Sequence, residues 1–187
     1  MNIVAVSGSL RAASINSAVC RVAARLAPPA LRISVFEGLR DLPLFNPDLE
    51  AQPPESVRHW RATVAAADAL LIASPEYAHG ISGVMKNALD WLVSFEGTVG
   101  KPVALVNAAP RAHHADDALR EVLRTMSADI VVQASGGLPL PGHCTSEEAM
   151  LRSPEVRRAL EDLLAALLRH LQGDGGNGGV GPSFPLA

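Results

Sequence analysis

The chain has 187 residues, of which 48% are hydrophobic and 19% charged, a composition that excludes intrinsic disorder and fits one core of ordinary size. Sixteen basic residues against nineteen acidic ones leave a formal charge of −3, too little positive charge for a surface that coats nucleic acid. Cys20 and Cys144 form no CxxC pair, the amino terminus lacks a charged lead, and no apolar run approaches the ~20 residues of a membrane span. A cytoplasmic protein with no membrane partner is therefore expected.

In chain order, Ile3 to Val6 is a short β-branched run ended by Ser7-Gly8-Ser9, which predicts a buried strand. Residues 14–26 place Val19, Val22, Ala23 and Leu26 at helical spacing before Pro28-Pro29. Residues 31–36 read as a strand, a loop follows through Pro43, Asn46 and Pro47, and residues 54–67 read as a helix with proline near its first turn. Further strands are expected at 68–73, 101–107 and 129–132, with helices at 83–95, 116–126 and 154–171. The strict alternation predicts five parallel strands with helices on both faces of one sheet, so ligands should bind beyond the strands' carboxyl ends where the order reverses. Residues 173–187 are mostly Gly, Pro and Asn, and a disordered tail is expected there, after a single domain at 1–172.

Two loops carry the chemistry. The first, S-G-S-L-R-A-A-S-I-N, joins strand to helix. Gly8 permits a tight or positive-φ turn, Ser9 and Ser14 bring hydroxyls, Arg11 a guanidinium and Asn16 an amide. Ser14 is also a good N-cap, so the loop ends on a helix N-terminus, and these together are the parts of a phosphate cradle. No G-x-G-x-x-G and no G-x-x-x-x-G-K-[ST] is present, and a phosphate monoester suits the loop better than a triphosphate. The plainer alternative is a helix cap beside a solvated arginine. In the second loop, S-P-E-Y-A-H-G, Pro75 forces the chain abruptly off the sheet, and Glu76 and Tyr77 follow with backbone groups open to a flat ring. Acid–base chemistry at Glu76 has no visible partner, and Trp91 is expected to pack in the core or at a subunit contact.

G-S-L-R-x-x-S-x-N after a first strand, with P-E-Y-x-x-x-x-x-G-x-x-K-N-A-x-D-W, strongly resembles the NADPH-dependent FMN reductase family, whose flavodoxin-like group includes bacterial chromate and quinone reductases. L-P-L-F-N-P-D at 42–48 is similar to that family's loop after strand two, and the resemblance covers roughly residues 2–170. It implies a flavodoxin-like three-layer α/β sandwich with strand order 2-1-3-4-5. It further implies FMN as cofactor, NADPH or NADH as co-substrate, hydride transfer to a small acceptor such as a quinone, and a homodimer or homotetramer. Carried onto this chain, Ser9, Arg11, Ser14, Asn16 and Ser17 would hold the phosphate, and Pro75, Glu76, Tyr77, Ala78 and Ala109 would lie along the flavin ring. The helix with Lys86, Asn87, Asp90 and Trp91 would serve assembly. No side chain need be catalytic, because the cofactor carries the reaction.

Two departures from the family pattern stand out. Ala78-His79 replaces the asparagine usual after P-E-Y, and the third loop, N-A-A-P-R-A-H-H-A-D-D, lacks a glycine pair and offers Arg111 as a charge near the site. His113, His114, Asp116 and Asp117 suggest a metal, but acids in a first helical turn are ordinary complements to the helix dipole and no distant third ligand is apparent. The competing functions are a flavodoxin-like electron carrier and an FMN-binding sensor without turnover. Against the carrier stand the mild charge, the absent threonine-rich phosphate loop and the long S-P-E-Y loop.

Overall fold

The computed structural model describes residues 1–109 and 113–173; Arg111 and residues 174–187 of the expected tail lie outside the described residues. Of the sheet's six strand segments, five form its main path: β1 (Asn2–Ser7), β2 (Arg32–Phe36), β3 (Ala69–Ala73), then β6 (Pro102–Asn107) and β7 (Asp129–Ile130). They lie in the order β2-β1-β3-β6-β7, every pairing parallel. Counting only these, the order is 2-1-3-4-5, as the resemblance implies.

Alternation along each strand sends side chains to opposite faces. Ile3, Ala5 and Leu71 pack on one side with α1 (Ile15–Leu26) and the leucines of α6 (Pro154–Leu171). Val4, Val6, Leu70 and Ile72 pack on the other with α2 (Glu55–Ala66), α3 (Gly83–Asp90) and α4 (His114–Thr125). Trp60, nearly fully buried, also donates its indole N–H to Ala88 O at 3.0 Å, joining α2 to α3.

Four features differ from the sequence-based expectation. The edge strand is broken: β7 stops at Ile130, a 3-10 turn covers Val132–Ala134, and β8 (Gly136–Gly137) then resumes pairing with β6. A hairpin, β4 (Glu76–Tyr77) with β5 (Gly80–Ile81), occupies the second loop. The six-residue helix α5 (Glu147–Arg152) precedes α6. The α3 helix ends at Asp90, and Trp91 then turns its indole N–H onto Pro43 O at 2.8 Å.

Cys20 sits in the α1 face of the core with its thiol pushed up to about 12 from 9.0, because burial penalises the thiolate. A raised acid pKa stabilises the fold below the unfolded value and is lost as pH climbs from 9 towards 12. Urea unfolding at pH 8 to 11 is expected to show the midpoint falling in the alkaline range, with Cys20→Ala making that fall shallower. An unchanged slope would show that the Cys20 thiol titrates alike in the folded and unfolded states.

Candidate functional site

The chain runs outward from β1 to β2 and then returns across β1 to β3, so the strand order reverses between Ser7 and Ala73, which are register partners. A crevice opens there beyond the carboxyl ends. The first and second loops meet in it at Gly8. The Gly8 N–H donates to Ala73 O at 2.9 Å, and the Ser82 hydroxyl donates to Gly8 O at 2.6 Å. A β-carbon on Gly8 would lie 2.4 Å from Ser74 Oγ and 2.9 Å from Ser82 Oγ. Gly8 is not among the described residues with positive φ, so of the tight or positive-φ turn expected it makes no left-handed one, and what it supplies is close approach.

The first loop then builds a nest of donors. Ser9 N donates to Ser7 Oγ at 3.3 Å, and Arg11 N to Ser9 Oγ at 3.4 Å. Ser14 caps α1 as the sequence predicts, its Oγ accepting from Ser17 N at 3.2 Å, while Ser17 Oγ donates to Ser7 Oγ at 2.9 Å. The first N–H groups of α1 thus point at the loop with the positive pole of the helix behind them. Ser9, Arg11 and Ser17 line one cleft of about 210 Å³. Arg21 and Arg40 line it too, and neither is singled out by the sequence. Arg21 lies one turn beyond Ser17 on α1 and pairs with Glu147; Arg40 arrives from the 3-10 turn Gly38–Asp41 after β2, beside the cleft only once the sheet has formed.

Asn16 is buried, and its Oδ1 has no hydrogen-bond partner among the described residues. A buried unsatisfied amide oxygen calls for a donor, since leaving it unmade costs about 1–3 kcal/mol. The cleft therefore presents the Arg11 guanidinium, the Ser9 and Ser17 hydroxyls and a helix N-terminus for an anion, while Ser14 at the N-cap and the buried Asn16 on the first turn of α1 do not line it. That set fits a phosphorylated polyol such as the ribityl phosphate of FMN.

A second, narrow cleft lies beyond β3 and β6, lined by Ser74, Glu76, Asn107, Ala109, Ala115 and Asp116 among others. At about 20 Å³ it has room for little more than a water molecule, so a flat ring would rest over it. Pro75 leads out of it, and Tyr77, 58% exposed, stands beside it on the hairpin. Glu76 works structurally. Its carboxylate accepts from Ala115 N at 2.9 Å and caps α4 from outside, where His113 at the N-cap position makes no side-chain cap. In the hairpin, Ala78 (φ 49°) and His79 (φ 59°) form the two-residue tip, both left-handed as a type I′ turn requires. His79 stacks on His114 at 4.4 Å between ring centroids, and His113 lies tilted against His114 at 4.2 Å. The rings present faces to one another rather than nitrogens to a common point.

Of the helix expected to serve assembly, Asn87 and Trp91 turn to the chain's own loop. Asn87 Oδ1 accepts from Phe45 N at 2.8 Å and its amide donates to Pro43 O at 2.9 Å, fixing the 42–48 segment over α3. Lys86 and Asp90 pair with each other on the outer surface.

A parallel 2-1-3-4-5 sheet with a donor-rich β1–α1 loop at its switch point defines a flavodoxin-like protein. Flavodoxin 1 from Bacillus cereus shares that fold, with a TM-score of 0.59 at 15% identity over 91% of this chain and 99% of that one. The chain belongs to the NADPH-dependent FMN reductase family, whose sequence model matches residues 1–141. It is 39% identical over 112 residues to the NAD(P)H-dependent FMN reductase of Pseudomonas aeruginosa (58% of this chain, 60% of that protein) and 39% over 115 residues to a quinone reductase of Pseudomonas putida (59% and 61%). The chain thus spans about six-tenths of the length of these curated relatives. The flavoenzyme NAD(P)H:(acceptor) oxidoreductase FerB from Paracoccus denitrificans superposes with a TM-score of 0.70 at 25% identity, over 90% of this chain and 98% of that one.

If Glu76 acts as the cap of α4, Glu76→Ala should lower the stability of the ligand-free protein by about 1 kcal/mol, while Glu76→Gln, which keeps an acceptor oxygen, should retain most of it. Urea denaturation of the three proteins measures this. Equal losses in both variants would show that charge, not capping, is what α4 uses.

Proposed function

We propose that the chain is an NAD(P)H-dependent oxidoreductase that holds FMN at the switch point and passes reducing equivalents to a small acceptor such as a quinone. The observation that carries the reading is the cleft in which Ser9, Arg11 and Ser17 converge beside the α1 N-terminus, whose first turn also holds the buried Asn16. Ser9, Arg11, Ser14, Asn16 and Ser17 bind the phosphate and polyol. Pro75, Glu76, Tyr77, Ala78 and Ala109 border the ring, Glu76 by holding the hairpin against α4. FMN, when bound, supplies a centre that accepts hydride from a nicotinamide and releases electrons singly or in pairs.

This chain's own residues orient and enclose. Arg11 and the α1 pole set a positive environment that favours a bound dianion. The hairpin and α4 make one wall of the ring site, locked by the Glu76–Ala115 bond and the stacked histidines. No titratable side chain is assigned a proton-transfer role. Leu10, Leu44 and Tyr77 are large hydrophobic residues left exposed on the loops around the site, which supports assembly into a homodimer or homotetramer that covers them. A cytoplasmic location accords with a nicotinamide reductant and with two free, buried cysteines.

The test is anaerobic. Protein loaded with FMN and freed of excess is mixed with NADPH, then NADH, while visible flavin absorbance is followed; benzoquinone is added last. Bleaching followed by recovery on adding the quinone is the expected course. FMN that binds but is bleached by neither nicotinamide identifies a carrier or sensor, and FMN that does not bind ends the reading. Arg11→Ala should weaken FMN binding by about tenfold or more, as expected for losing a hydrogen bond to a charged group. Titration by flavin fluorescence checks it, and unchanged affinity would remove Arg11 from the phosphate site.

A further inference from the structure

We infer that Ser82 is a positioning residue for the phosphate cradle, setting this chain's preference for a phosphorylated flavin by fixing the plane of the Gly8–Ser9 peptide. The inference rests on the FMN reading above and adds to it a residue outside both clefts and outside the recognition loop. Ser82 lies in the second loop, 2% exposed, at the N-cap of α3. Its oxygen accepts from Met85 N at 3.2 Å and donates to Gly8 O at 2.6 Å. A serine hydroxyl has one proton, and a backbone N–H can use only its lone pairs, so the proton is committed to the Gly8 carbonyl.

That carbonyl and the Ser9 N–H belong to one planar peptide group, so holding the oxygen aims the N–H. The N–H meets Ser7 Oγ at 3.3 Å, and Ser7 Oγ accepts from Ser17 Oγ at 2.9 Å. The first peptide of the cradle is therefore clamped at both ends, by the cap of α3 on one side and the first turn of α1 on the other. Beyond it the Ser9 hydroxyl accepts from Arg11 N at 3.4 Å, so a rotated Gly8–Ser9 plane shifts the support for Arg11 as well. Capping α3 alone does not explain a hydroxyl here. Asp caps as well, but a carboxylate brings no proton to Gly8 O. The fit is close, since a β-carbon on Gly8 would lie 2.9 Å from Ser82 Oγ.

The experiment compares the wild-type protein with Ser82→Ala, Ser82→Thr and Ser82→Cys, each stripped of flavin. Dissociation constants for FMN and for riboflavin, which has the ring and polyol but no phosphate, are read by quenching of flavin fluorescence, and thermal midpoints of the apoproteins are read beside them. Ser82→Ala is expected to raise the FMN constant about tenfold and the riboflavin constant by less than about twofold, the size of one charge-linked hydrogen bond. Ser82→Thr, which keeps the hydroxyl, restores the FMN-to-riboflavin ratio. Ser82→Cys keeps the volume with a weak donor, lies between them, and decides the matter if Ser82→Ala does not fold.

A fall in affinity shared equally by FMN and riboflavin, tracking the thermal midpoint, overturns the inference and leaves Ser82 a plain helix cap. An unchanged ratio in Ser82→Ala or Ser82→Cys overturns it too. Wild-type protein that binds no FMN defeats the functional reading itself; wild-type protein that binds and reduces FMN while the ratio ignores Ser82 defeats only this inference.

Discussion

The site depends on two loops touching at a residue with no side chain. Gly8 lets the Ser74 and Ser82 hydroxyls come within distances that a β-carbon would forbid, and the contact falls where β1 and β3 end side by side. The parallel sheet sets where strand ends lie, but the spacing between the loops above them is decided at this one point. Ala73 holds Gly8 from the sheet and Ser82 holds it from α3, so the donors of the first loop inherit their positions from the third strand and the third helix. The recognition loop is short, yet its geometry is imposed from outside it.

Much of this was legible in the sequence, for definite reasons. A β-branched run ended by Ser-Gly-Ser and followed by a capping serine dictates strand, close turn and helix N-terminus, and the structure brings Ser9, Arg11 and Ser17 to one cleft accordingly. The sheet order follows from strict alternation plus the resemblance of two motifs. Arg40 was illegible because only tertiary structure carries the end of β2 to the cradle. The hairpin escaped notice because Ala78-His79 has none of the Asn-Gly chemistry that announces a type I′ turn. The edge strand read as continuous because Ile130, Val131 and Val132 are all β-branched, whereas pairing needs a neighbour that β6 provides only at the two ends.

Glu76 shows how a motif residue can act on the chain that carries it. Its carboxylate spends an acceptor oxygen on Ala115 N at the positive pole of α4, the partner that the sequence did not show. The same bond anchors the hairpin, and the Asn87 and Trp91 bonds to Pro43 anchor the loop opposite. Glu76, Asn87 and Trp91 thus bond to the chain itself, fixing the hairpin and the 42–48 segment.

The hairpin tip has a consequence for how the chain can change. Ala78 and His79 hold left-handed backbone without glycine or asparagine, a conformation disfavoured by about 1–2 kcal/mol per residue, and the stacked imidazoles oppose its release. Admissible residues at 78 and 79 are therefore limited by backbone tolerance rather than by the ligand: glycine and asparagine relax the turn, and β-branched residues break it. The height of one wall of the site can drift across related sequences through these two positions alone. The first-loop cleft, held at Gly8 by Ala73 and Ser82, need not move with it.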